Sequence, residues 1–195
     1  MKKLAAVLCL SALATGAFAQ GLVDFINSAT TLSTYQVTAG SAAVSTGGPV
    51  GSWYYGLLIS SSPSGPFSFS GAYGTNIAAA GRFFGGSSVA VTGWAAGASM
   101  SYEVAAWSAS LGATWQNGWL TGNWGGKTGN FGLSSIATQV SGGAGSPASP
   151  PTPLFGGANG IQSGFNAAPV GVPEPTSMAL AGLGAAALLI FRRRK

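Results

Sequence analysis

The middle of this sequence predicts an all-β fold, a β-sandwich or jelly-roll-like body of short strands, and three observations carry the prediction. Apolar residues at helical spacing are nearly absent between residues 20 and 171. Glycine, with 32 residues in the chain, is scattered throughout. Aromatic and β-branched runs recur between clusters of Gly, Ser, Pro and Asn, which is the pattern of strands joined by tight turns. A body of about 150 residues can bury roughly two thirds of its unfolded surface. One core is therefore feasible without metals or disulfides.

Taken in order, strands are expected at 23–27 and 34–39, and then at 52–60, the clearest of them. There Trp53, Tyr55, Leu57 and Ile59 alternate with Tyr54, Gly56, Leu58 and Ser60. A period of two places the first set on one face, the expected core face. Further strands at 67–70, 87–93, 101–108, 129–138 and 160–166 bring the expected number to eight. Gly47-Gly48-Pro49 and Ser62-Pro63-Ser64-Gly65-Pro66 are the strongest turns, because Gly supplies positive φ and Pro presets the turn. Residues 109–120 read as one short helix or a compact loop. Residues 141–153, SGGAGSPASPPTP, have no periodicity and read as a loop or spacer that buries nothing. Residues 166–175 read as a tether, and no internal repeat is present.

Charge is concentrated at the ends. The chain carries 8 Lys and Arg, 3 Asp and Glu and no His, a formal +5. Lys2 and Lys3 stand at one end, and Arg192, Arg193, Arg194 and Lys195 at the other. Between them lie only Asp24, Arg82, Glu103, Lys127 and Glu174. The basic character therefore belongs to the ends, and no nucleic-acid partner is expected.

Residues 1–19 combine two lysines, the apolar run from Leu4 to Leu13, and small residues ending Ala17-Phe18-Ala19. These are the three parts of a secretory signal peptide, with cleavage by signal peptidase expected between Ala19 and Gln20. Cys9, the single cysteine, lies inside this leader behind Leu8, in a context unlike a lipidation site. The exported body then has neither a disulfide nor a thiol nucleophile. At the other end, Val172-Pro173-Glu174-Pro175 precede the apolar residues 176–191 and the basic cluster. As a helix that segment reaches ~24 Å at ~1.5 Å per residue, a little short of the ~30 Å hydrocarbon core, and snorkelling arginines can extend it. Basic residues flanking a span stay in the cytoplasm. Arg192, Arg193, Arg194 and Lys195 are thus expected to set topology, leaving the body outside the cytoplasmic membrane.

This tripartite tail, VPEP followed by an apolar helix and a basic cluster, resembles the PEP-CTERM sorting signal of Gram-negative bacteria. The resemblance implies recognition by an exosortase-type membrane protease-transferase near the Pro-Glu-Pro. It also implies passage from a membrane-anchored precursor to the cell surface, extracellular matrix or biofilm. The stretches QGLVDFINSAT, WYYGLLIS and SYEVAAWSASLGATWQNG also resemble short secreted proteins with the same tail in Verrucomicrobia-like bacteria. That likeness implies the β architecture and no activity.

The chemistry available to the body is sparse. Without His there is no Ser-His-Asp arrangement and no ordinary transition-metal site. Asp24 and Glu103 could pair as in a glycosidase, but no motif links them. The glycines around Lys127-Thr128 lack the strand-loop-helix context of a phosphate cradle. No catalytic residue, metal or cofactor is expected. Six tryptophans, at 53, 94, 107, 115, 119 and 124, are the body's distinctive feature. Most are expected to fill the core. Trp115, Trp119 and Trp124, accompanied by Gln116, Asn117 and Asn123, are candidates for exposed carbohydrate contact. The leading expectation is a non-catalytic secreted surface or matrix protein. An exopolysaccharide-binding module is the alternative, and a glycosidase-type enzyme a third reading. The leader reading sets the first expected outcome: N-terminal mass analysis of protein recovered outside the cell reads from Gln20, and a Met1 start would overturn it.

Overall fold

The computed structural model describes residues 20–171 and 182–184. Its strands are, in order, β1 (Gln20–Asp24), β2 (Ser33–Gln36), β3 (Ala43–Ser45), β4 (Trp53–Ser60), β5 (Ser68–Asn76) and β6 (Phe83–Phe84). They continue with β7 (Val89–Ala95), β8 (Ser99–Ser108), β9 (Gly129–Leu133), β10 (Ala137–Val140), β11 (Thr152–Pro153) and β12 (Phe165–Val170). The all-β class holds. The segment after β8, expected as one short helix or a compact loop, is a loop that holds two 3-10 turns, Ala109–Leu111 and Asn117–Thr121.

Two sheets of unequal size form. In the smaller, β1 lies between β11, to which it is parallel, and β7, to which it is antiparallel. The larger runs β3-β2-β12-β9-β8-β4-β5-β6, with β10 also pairing with β8. At its centre β4 and β8 pair antiparallel without a break from Trp53↔Ser108 to Ser60↔Ser101. Trp53, Tyr55, Leu57 and Ile59, as the alternation predicts, join Tyr102, Val104 and Ala106 in a core against Val23, Phe25, Val91 and Trp94 of the small sheet. Tyr55 stacks on Phe83 with ring centres 4.1 Å apart. Its hydroxyl lies 2.9 Å from Thr46 Oγ1, which satisfies its polar end in the interior.

The opposite face of the large sheet is also buried. Leu58, Ala105 and Trp107 pack there with Leu111, Trp115 and Trp119 from the segment after β8. Alternation along 52–60 predicts one core face, whereas the fold covers both. A strand buried on both faces needs apolar or small residues at every position, and WYYGLLIS meets that requirement. Gly56 makes room for the indole: a Cβ there would lie 3.2 Å from Trp107 and 3.1 Å from Phe69.

Elsewhere the strand expectations need correction. β5 extends six residues beyond the predicted 67–70, and 129–138 divides into β9 and β10. The division falls at Ser134, whose hydroxyl accepts the Val104 N–H while its own N–H bonds the Val104 carbonyl. Residues 141–153 do not merely span. Ser141 is buried, Gly142 exchanges backbone hydrogen bonds with Leu22, and Thr152 and Pro153 pair with Val23 and Asp24. β12 bridges β2 and β9 within the large sheet; it takes up only the last two residues of the strand expected at 160–166 and continues through 166–170 of the expected tether. Pro169 is tolerated because β12 pairs with β2 only over residues 165–167 and with β9 over 168–170. Its missing N–H falls where the strand has one neighbour.

β9 and β12 approach so closely that a Cβ on Gly132 would meet the Asn166 carbonyl oxygen at 2.2 Å. Gly132→Ala must push these strands apart and is expected to cost about 3 kcal/mol in chemical denaturation of the full chain. Gly47, where the nearest atom to an added Cβ is 3.9 Å away, is the control, with a change under about 0.5 kcal/mol on Gly47→Ala.

Candidate functional site

The segment between β8 and β9 builds a cover over the outer face of the large sheet and a cleft at its edge. Its path is set by side chains that bond backbone. Trp107 Nε1 donates to the Gly112 carbonyl at 2.8 Å, and the Trp115 N–H donates to the Tyr73 hydroxyl at 2.8 Å. Gly122, left-handed at φ 77°, ends the second 3-10 turn, a conformation that suits glycine. The chain then folds back so that the Asn123 N–H reaches the Gly118 carbonyl at 2.9 Å.

The aromatic rings sort by depth. Trp115 is 8% exposed and lies between Phe69 and Trp119, with ring centres 5.6 and 5.5 Å away. Its Nε1 donates to Asn117 Oδ1 at 2.8 Å, which commits that amide oxygen to the cover. Trp115 therefore leaves the set of candidate contact residues: it is core, because a bulky apolar ring is needed to seal Trp107. Trp119 is 3% exposed, packed on Trp107 at 5.4 Å, and lines the floor of the cleft as a buried residue. Trp124, half-buried against Phe131 at 5.1 Å, is the accessible aromatic.

The cleft has a volume of about 370 Å³. Trp119 and Trp124 form its apolar side, and Gln116, Asn123 and Lys127 its polar side. Lys127 Nζ donates to the Leu111 carbonyl at 2.7 Å, which fixes the ammonium at the rim. Sequence reasoning reached the tryptophans and amides but weighed Lys127 only as part of a phosphate loop and set it aside. The available signal was a lone cation three residues after Trp124. Gly171, at φ 64°, packs on the Lys127 carbonyl, where an added Cβ would lie within 1.9 Å. The chain thus leaves the body toward its tail beside the cleft.

The two carboxylates do not meet. Asp24 projects outward from the small sheet, since Val23 and Phe25 on either side of it are core residues. Its Oδ1 accepts the Ser88 N–H at 3.1 Å. Glu103 lies on the outer face of the large sheet opposite Leu58, so the sandwich core stands between the two groups. Glu103 is only 7% exposed, and among the described residues it has no ion-pair or side-chain hydrogen-bond partner. Burial pushes its carboxyl above the ordinary range. Among the described residues no three His, Cys, Asp or Glu side chains cluster as metal ligands.

Of the remaining sequence-predicted sites, Gln20 opens β1. Ala17, Ala19, Val172, Pro173, Glu174, Pro175, Arg192, Arg193, Arg194 and Lys195 lie outside the described residues. No helix of the described residues is long and apolar enough to cross a membrane. The expected span at 176–191 is not seen, since only 182–184 within it are described, as a helical turn.

Comparison with known proteins gives one match: residues 171–195 match the PEP-CTERM protein-sorting motif. The match supports an exported protein sorted by exosortase to the cell surface. No curated protein and no solved structure matches the chain, and nothing in the comparisons supports the Verrucomicrobia-like source.

Glu103 yields a stability test. Its folded-state pKa lies above its unfolded value, so the native state binds the proton more tightly. The associated cost to stability is absent below the unfolded pKa and grows as pH rises through the folded one. Glu103→Gln is expected to raise the melting temperature at neutral pH and to remove this fall from the weakly acidic part of the profile. A lower melting temperature at neutral pH would overturn the assignment.

Proposed function

We propose that the chain is a non-catalytic protein of the cell surface or extracellular matrix, exported under an N-terminal signal peptide and delivered by its tail. The observation that carries this reading is the sorting motif at 171–195 joined directly to a β body whose last strand ends at Val170. The precursor is held in the cytoplasmic membrane by residues 176–191, with Arg192, Arg193, Arg194 and Lys195 inside. Exosortase acts at Val172-Pro173-Glu174-Pro175. Proline disfavours helical backbone in the residue before it, which suits a protease substrate. Catalysis has little support, because the two carboxylates of the body lie on opposite sides of its core.

The cleft favours a second reading, carbohydrate binding. An aromatic face beside fixed polar groups suits the flat C–H face of a sugar ring with its surrounding hydroxyls. Of the three tryptophans considered, Trp124 supplies the accessible face, backed by the buried Trp119, on which Trp115 packs in turn. Exopolysaccharide is the partner this implies.

Topology and processing separate by mutation. Moving arginine through hydrocarbon costs roughly 2.5 to 3.5 kcal/mol each at a helix centre. Replacing Arg192, Arg193 and Arg194 by Asn is therefore expected to release uncut protein into the medium. Pro173→Ala with Glu174→Ala leaves the protein uncut in the membrane fraction. If fractionation and intact mass show both variants behaving like the parent, the sorting reading fails.

A further inference from the structure

We infer that the cleft selects an acidic polysaccharide, seating the ring of a uronic acid residue on Trp124 with its carboxylate against Lys127. The inference rests on the carbohydrate reading and adds the charge of the ligand. Lys127 is the cation of the cleft. An ammonium has three N–H donors, and the bond to the Leu111 carbonyl uses one, leaving two for a ligand. The same bond holds the head group in place, so a ligand need not order a free lysine chain.

No carboxylate among the described residues pairs with Lys127. Asp24 faces away on the small sheet. Glu103 lies on β8 opposite Leu58 and forms no ion pair with Lys127. Among the described residues, a bound anion therefore meets a cation without a carboxylate partner, in a body with almost no other charge.

The rest of the lining matches a sugar acid better than phosphate or peptide. Trp124 offers an indole to the ring, and its contacts with Phe131 and Trp119 hold that indole in position. Gln116 is exposed at the rim, and its side chain makes no hydrogen bond within the described residues. It is free to donate to and accept from ring hydroxyls. Asn123 Oδ1 already accepts the Gly125 N–H at 3.1 Å, while its amide N–H₂ has no partner among the described residues. The polar side therefore presents more donors than acceptors, as a carboxylate requires.

Calorimetric titration of the full chain in mild detergent tests this with two probes, an oligogalacturonate and the same oligosaccharide with its carboxyls reduced to hydroxymethyl groups. The acidic probe is expected to bind about tenfold more tightly, the scale of one charge-assisted hydrogen bond, with a preference that shrinks as salt rises. Lys127→Gln should abolish the preference and leave weak neutral binding, Lys127→Arg should keep it, and Trp124→Ala should remove binding of both. Equal affinity for the two probes overturns the acidic selection while leaving the carbohydrate reading intact. Failure of both probes to bind overturns the inference and the carbohydrate reading together. Near-ultraviolet circular dichroism matching the parent confirms that each variant retains its tryptophan packing.

Discussion

The uninterrupted pairing of β4 with β8, buried on both faces, is the constraint on which the rest of the molecule depends. An antiparallel pair at the centre of a sheet commonly leaves one face to water. Here every position of β4 except Tyr54 is buried, so two separate covers are required. The small sheet supplies one through Val23, Phe25, Val91 and Trp94. The segment following β8 supplies the other through Leu111, Trp115 and Trp119. A body with two carboxylates and two cations has few charges to place on such faces, so packing by large rings is the available means of closure. Each buried tryptophan also carries an N–H, and those of Trp94, Trp107 and Trp115 all find acceptors nearby.

The cleft is a by-product of that second cover. A loop cannot bury its backbone without satisfying its amides and carbonyls, and this one does so with tight turns, a left-handed glycine and side-chain bonds. The turns leave the outermost ring, Trp124, partly exposed next to unbonded amide groups and an anchored ammonium. Rigidity and exposure therefore coincide at one place, as a binding surface requires. Because Lys127 bonds Leu111 while Leu111 sits in the core, the charged rim and the hydrophobic cover are mechanically one unit. Gly171 packs on the same residue, so the cleft and the origin of the tail share an edge of the body.

Charge divides the labour between body and ends. Signals for export and sorting work through strings of apolar residues flanked by cations, a language of transfer free energy that needs no folded partner. The body, by contrast, uses its charges singly. Asp24 bonds the amide of Ser88, whose φ is 61°, an uncommon conformation for a residue with a side chain. Glu103 is buried beside Leu58 at a cost to its ionised form. Lys127 is tied to a carbonyl. Arg82, in the turn before β6, keeps its Nε buried without a partner among the described residues, and nothing in the structure explains it.

By itself the sequence determined the properties that depend on local pattern. The period of two along 52–60 reports which side chains share a face, so Trp53, Tyr55, Leu57 and Ile59 were legible as core. The apolar and basic C-terminal end was legible as a sorting signal because its chemistry is a matter of composition and order. The crowding of tryptophan and amide residues after β8 was enough to place the cleft. Tertiary structure alone decided the second buried face of β4, since alternation says which residues point together and not what covers them. It decided that Trp115 is sealed and Trp124 open, which depends on Phe69, Tyr73 and Phe131 arriving from distant strands. It also turned 167–170 from an apparent tether into most of the strand joining β2 to β9. That short Ala- and Pro-containing segment has little strand preference of its own. Its conformation comes from hydrogen-bond partners more than 35 residues away along the chain, and no local pattern carries that information.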